Sequence, residues 1–203
     1  MKDKWTKRNR KNDTDVQGNR LSSGSEAANR ANKSKATEQN QLEDQNTRKE
    51  LYFAYGSCMS EDFARSVPEF ACLGHAVLRD YRLAFTRYSS SRGGGVADIL
   101  PAKNSTVEGV LYELDSDLLP ELDVREGVKS GAYQRIKVTV ETPYGQRRAW
   151  TYEVIEKEEE ELPPTAEYAR LILSGAMPVV SHAYFKRLKA HIDALQDDRV
   201  DYW

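Results

Sequence analysis

Apolar positions are spread unevenly along the chain. Residues 1–49 carry only nine of them, five of which are Met1, Trp5, Val16, Leu21 and Leu42; the others are alanines. That is too little apolar surface to offset the entropy of ordering the backbone, so this segment is expected to be a solvated, disordered extension. From Glu50 the pattern changes. The run Leu51-Tyr52-Phe53-Ala54-Tyr55 predicts a buried strand ended by Gly56. Ser60 is placed to cap a short helix over 61–66. Strands are expected over 76–86, 96–100 (stopped by Pro101) and 107–114, with Gly93-Gly94-Gly95 between the first two. Leu118, Leu119 and Leu122 predict a helix from Asp115 or Ser116 to about Arg125, closed by Gly127. Ile136, Val138 and Val140 alternate with polar residues over 133–141, and 147–155 returns as the hairpin partner across Pro143-Tyr144-Gly145. The acidic run 156–161 reads as a solvated loop. Thr165 caps a helix to about Ser174, and Tyr184, Leu188, Ile192 and Leu195 mark the core stripe of a last helix over 182–195. About six strands and four helices, rich in hairpins and without βαβ alternation, predict an α+β fold with a largely antiparallel or mixed sheet.

Charge sharpens the same boundary. Residues 1–49 hold 12 Lys/Arg and 7 Asp/Glu, a net of +5; residues 50–203 hold 18 and 25, a net of −7. The basic residues of the first segment are dispersed among Asn, Gln, Ser and Glu, so no nucleic-acid partner is expected. That segment also lacks the apolar core of a signal peptide. No apolar run approaches the roughly 18 residues that span a membrane, so no membrane association is expected. The two cysteines, Cys58 and Cys72, read as free thiols in a reducing compartment, and a cytoplasmic location is expected. Their spacing fits no zinc pattern, and no metal is expected. The division is then a basic polar tail over 1–49, one domain over 50–197, and an extension over 198–203.

Two segments could carry chemistry. In Tyr52-Phe53-Ala54-Tyr55-Gly56-Ser57-Cys58 a strand runs into a Gly-Ser turn and a helix start, which exposes successive backbone N–H groups to an anion such as a carboxylate. In Glu126-Gly127-Val128-Lys129-Ser130-Gly131-Ala132-Tyr133 a carboxylate sits at the C-terminal end of a helix. The negative end of the dipole there disfavours its charge and raises its pKa, as a general base working near neutral pH requires.

Together, and in this order, the two segments resemble the γ-glutamylcyclotransferase family. Tyr52 to Ser57 is similar to that family's substrate-binding loop, and Glu126 to Gly131 with Tyr133 is similar to its catalytic segment. Arg148 to Tyr152, Pro163-Pro164, Tyr168, Gly175-Ala176 and Tyr184 to Leu188 continue the resemblance over about residues 51–195. It implies a small mixed, mostly antiparallel β-barrel flanked by helices, and cyclisation of a γ-glutamyl amino acid or related amide to 5-oxoproline. Glu126 would be the base and acid. Tyr52, Phe53, Ala54, Tyr55, Gly56, Ser57, Tyr133 and Tyr152 would be the substrate-binding residues. The attacking amine belongs to the substrate, so no triad, metal or cofactor is required. The only partner implied is a small-molecule substrate; a homodimer is admitted.

One position departs from the family. Many relatives carry Asn after the Gly-Ser, where this chain has Cys58, a weaker hydrogen-bonding group. A nucleophilic Cys58, a γ-glutamylamine substrate with a different leaving group, and a non-catalytic binding module on the same fold stay open as alternatives.

Overall fold

The computed structural model describes residues 48–197. The expectations for the tail up to residue 47 and for the extension 198–203 lie outside the described residues. Five strands close into a barrel in the order β1-β3-β2-β4-β5: β1 Lys49–Ala54, β2 Ala71–Ser89, β3 Gly94–Asp115, β4 Tyr133–Thr142 and β5 Gly145–Val154. All neighbours are antiparallel except β1 and β5, which run parallel where the barrel closes. Four α-helices flank it: α1 Glu61–Ser66, α2 Leu119–Arg125, α3 Ala166–Ala176 and α4 His182–Asp197.

The strand count is five, one below the expected number, because 96–100 and 107–114 are two arms of one bent strand. Pro101 lies within it, opposite Tyr81, next to a break in register. Between the pairs Arg79↔Thr106 and Tyr81↔Pro101, one residue of β2 opposes four of β3. Asp80 (φ 59°) and Asn104 (φ 64°) adopt left-handed backbone at this bulge, and the Asn104 N–H donates to Asp80 Oδ1 at 2.9 Å. A proline, lacking a ladder donor, is tolerated at such an irregularity.

The parallel seam pairs Tyr52 with Trp150. Side chains reinforce it. The Trp150 indole N–H donates to Glu50 at 3.0 Å, the Thr151 hydroxyl to the Phe53 carbonyl at 2.9 Å, and the Tyr55 hydroxyl to the Tyr152 carbonyl at 2.6 Å. Phe53, Phe85, Ile99 and Leu114 are fully buried in the core. Ile172 of α3 and Tyr184, Leu188 and Ile192 of α4 add their apolar stripes to the same core. Leu195 is only half-buried.

Helix caps follow local chemistry. The Ser60 hydroxyl accepts from Phe63 N–H at 3.2 Å and Thr165 from Tyr168 N–H at 3.3 Å. Residues Ser116–Leu118 form a 3-10 turn ahead of α2, and Asp115 makes no side-chain cap. The acidic run departs from the expected solvated loop at its end. Glu161 accepts from Phe85 N–H at 3.0 Å and from His191 at 2.9 Å, and also pairs with Arg82. Burial pushes the Glu161 carboxyl up, but the bonds from His191 and Arg82 win and hold it below its ordinary value. This clasp lays 158–164 along β2 and β3, where Gly95 N–H donates to the Pro163 carbonyl at 2.9 Å. No helix among the described residues is long and apolar enough to cross a membrane.

Candidate active site

The loop leaving β1 is built to be rigid. Its Ser57–Met59 segment is one 3-10 turn, with Met59 N–H donating to the Gly56 carbonyl at 3.0 Å. Helix α3 presses on it through Gly175, where an added Cβ would lie 2.6 Å from Ser60 N and 2.7 Å from the Met59 carbonyl carbon. Only glycine permits that approach. Ser57, Cys58 and Ser60 thereby form one wall of a cleft of about 580 Å³, within the range of small-molecule sites, roughly 300–1,000 Å³.

Glu126 faces the same cleft from the C-terminal end of α2. Gly127 follows in left-handed backbone (φ 68°), a conformation glycine reaches without a Cβ penalty, and this turns the chain away after the carboxylate. The Cys58 thiol donates to Glu126 Oε1 at 3.5 Å. Burial raises the Glu126 pKa; the thiol hydrogen bond and the neighbouring Arg125 charge pull it back only in part. Burial is the leading cause of the rise. The Cys58 thiol itself is pushed well above its ordinary value, by burial first and by Glu126 second. It is therefore held protonated, as a donor, and is a poor nucleophile at neutral pH.

The expected binding residues divide. Ser57 and Tyr133 line the cleft. The Tyr133 hydroxyl donates to the Ala97 carbonyl at 2.8 Å. Tyr52, Phe53, Ala54 and Tyr55 are buried beneath the cleft, because the strand that delivers the loop is also a barrel stave. Gly56 faces Ala97 Cβ and the Tyr168 hydroxyl. Tyr152 does not line the cleft either; its hydroxyl donates to Asp123 at 2.7 Å. The tyrosines nonetheless surround Glu126 electrostatically. Burial raises the pKa of Tyr52, Tyr55, Tyr133 and Tyr152, and the Glu126 charge adds to each. They stay protonated and present neutral dipoles.

Several cleft residues were not among the expected binding residues. Tyr168, on the apolar stripe of α3, is indistinguishable from core by periodicity. Its hydroxyl reaches the cleft and accepts from Ala97 N–H at 3.3 Å, and its pKa is pushed up to about 12 by burial. Arg87, at the end of β2, and Arg92, in the turn after it, also line the cleft, as does Arg125. Arg125 donates to Ser66 at 2.9 Å and stacks on Phe63 at 5.1 Å, and Arg92 stacks on Tyr168 at 5.2 Å. These arginines carry no local sequence signal, because only the closed barrel gathers them.

Away from the cleft, Glu108 accepts from Ser181 N–H (2.7 Å) and Oγ (2.8 Å) and from His75 (2.9 Å). Burial pushes its carboxyl up, and the Ser181 and His75 bonds bring it below its ordinary value. This cluster ties β3 to the start of α4. Among the described residues, no group of three or more His, Cys, Asp and Glu is placed to hold a metal ion.

Comparison with known proteins places the fold. A family model described as AIG2-like matches residues 106–188. The chain is 35% identical to a γ-glutamylcyclotransferase of Bos taurus over 132 residues, covering 62% of this chain and 69% of the relative. It is 32% identical to one of Mus musculus over 148 residues, covering 69% and 77%. A solved structure titled γ-glutamyl cyclotransferase superposes with a TM-score of 0.66 at 32% identity, over 70% of this chain and 88% of that one. The chain belongs to the γ-glutamylcyclotransferase family of enzymes.

Proposed function

We propose that the protein cyclises a γ-glutamyl amide to 5-oxoproline and releases the amine, with Glu126 as base and then acid. The observation that carries this reading is the setting of Glu126. Its carboxylate faces the cleft beside the Ser57–Cys58 turn, with its pKa lifted by burial. The glutamyl α-carboxylate binds at the backbone N–H groups of the Gly56-Ser57 turn. Glu126 takes a proton from the substrate's α-ammonium group. The freed nitrogen attacks the γ-carbonyl carbon of the same molecule, closing a five-membered lactam as the bond to the leaving nitrogen breaks. Both protons given up by the attacking nitrogen end on the leaving amine, the last delivered by Glu126.

The chemistry needs little beyond this. Nucleophile and electrophile belong to one molecule, so a cleft that holds the substrate curled supplies much of the acceleration through orientation. A lifted carboxyl pKa improves the match between base and ammonium. Tyr133 lines the same cleft with a neutral hydroxyl whose proton is given to the Ala97 carbonyl.

The test is 5-oxoproline release from a panel of γ-glutamyl amino acids and γ-glutamylamines, by wild type and Glu126→Gln. Wild-type turnover falling by about 1,000-fold or more in Glu126→Gln, as expected on losing a base that also serves as acid, with substrate binding kept, supports the reading. Turnover that survives in the variant removes Glu126 from the role. Ligand binding with no product from the folded wild type points instead to a binding module.

A further inference from the structure

A second cavity, of about 490 Å³, lies between α4 and the bent part of β2 and β3. It shares no lining residue with the cleft at Glu126, and its volume falls within the roughly 300–1,000 Å³ of small-molecule sites. The bulge at Asp80 and Asn104 shapes it. Asn104, in left-handed backbone, lines the cavity, and so do the next two residues, Ser105 and Thr106. Bulges re-aim side chains and recur beside functional sites. Charge is one-sided here. No carboxylate is among the residues that line the cavity, although residues 50–203 carry a formal charge of −7. Arg82 and His191, both in its wall, share one carboxylate, Glu161. Arg187 also lines it, with its guanidinium 5.7 Å from the Tyr184 ring, and is in no ion pair among the described residues. A guanidinium at a cavity without an anion forgoes its strongest interaction. Ser105 and Thr106 are half-buried and add two hydroxyl donors. Leu83, Tyr184 and Leu188 are buried and give the same wall an apolar portion.

We propose that this cavity is a second ligand site, separate from the catalytic cleft, that takes a small organic phosphate. The phosphate binds Arg187 and Arg82 together with the Ser105 and Thr106 hydroxyls, and the apolar body of the ligand rests against Leu83, Tyr184 and Leu188. A phosphate monoester suits the site better than a carboxylate does. It carries a charge of about −1.5 to −2 at neutral pH and three strong acceptor oxygens. Two planar guanidinium forks and two hydroxyls offer more donors than the two oxygens of a carboxylate can use. Glu161 balances the charge of Arg82, which leaves that of Arg187 for the ligand. None of these residues takes part in the reaction proposed above, so the site stands or falls independently of Glu126.

The experiment is calorimetric titration of the full chain, at fixed ionic strength, with phenyl phosphate, benzoate and inorganic phosphate. Phenyl phosphate is expected to bind wild type more tightly than either of the others. Arg187→Gln should weaken it on the order of 10- to 100-fold, the range for a charge-assisted hydrogen bond, and Arg187→Lys should restore part of the loss. Arg187 is exposed on α4, so the substitution leaves the core untouched. Ser105→Glu, which sets a carboxylate among the cations, should reproduce the loss from β3. Arg92→Gln, in the catalytic cleft, should leave binding unchanged. The proposal is overturned if phenyl phosphate does not bind, or if it binds no better than benzoate or inorganic phosphate. It is equally overturned if binding survives both Arg187→Gln and Ser105→Glu, or if it is lost in Arg92→Gln instead, which would put the anion in the catalytic cleft.

Discussion

Position 126 holds a carboxylate between two opposing influences. Burial favours its neutral form, while the Cys58 thiol donates to Oε1 and favours the charged form. The base works when deprotonated, so kcat/KM rises with pH through the Glu126 pKa, and that acidic limb is expected above the ordinary carboxylate value. Cys58→Ala removes a stabiliser of the charged form. The pKa then rises further, and the limb moves to higher pH. A limb that stays put or moves down in this variant would show that the thiol does not tune the base. This gives Cys58 a role on Glu126. The placement of Glu126 at a helix end was legible in the sequence, because a Glu followed by Gly127 and a second turn glycine at 131 is a local pattern; its assignment as base came from the family resemblance. The burial that raises its pKa was not legible, since it depends on residues distant in the chain.

At the scale of elements, the loop after β1 packs against a helix more than 100 residues away. Gly175 of α3 lets the backbone at Met59 and Ser60 come within reach of a Cβ. Gly175→Ala would force that methyl into backbone atoms with no flexible side chain to yield. Overpacking of this kind costs about 1–3 kcal/mol. We expect a lower Tm together with a several-fold fall in kcat/KM, since the displaced turn carries Ser57 and Cys58. An unchanged enzyme would mean that α3 simply shifts outward. The helices and the β4–β5 hairpin were readable from periodicity and turn residues, which are local. The fusion of two expected strands into β3 was not, because Pro101 reads as a stop until the bulge at Asp80 and Asn104 accommodates it.

Across the whole molecule, Asp98 joins parts that are distant in sequence. It is fully buried on β3. It accepts from Ile99 N–H at 2.8 Å, Val154 N–H at 2.9 Å and the Thr86 hydroxyl at 2.6 Å, and it pairs with Lys157 at 2.9 Å. Strands β2, β3 and β5 and the following loop thus meet at one carboxylate. Ala97, next to it, engages Tyr133 and Tyr168, so the network lies directly behind the cleft. Lys157→Met leaves a buried charge without its cation, a loss of about 3 kcal/mol, the low end for such pairs because Lys157 keeps some contact with water. The double variant Lys157→Met/Asp98→Asn should recover part of it, because the amide oxygen can still accept both backbone N–H groups. Chemical denaturation of wild type, single and double variants measures this. A single variant as stable as wild type would remove Asp98 from the account.

The order of elements, the strand-end turn at Gly56-Ser57 and the glutamate at 126 are properties of short stretches. Side-chain period, glycine backbone freedom and helix caps act over a few residues, so they could be read along the chain. The tertiary structure alone closed β5 onto β1, buried Tyr52 to Tyr55 beneath the cleft instead of in its wall, and turned the Tyr152 hydroxyl to Asp123. It also brought Arg87, Arg92 and Tyr168 into the same cleft as Glu126. These outcomes depend on pairings between residues tens of positions apart, which no local pattern encodes.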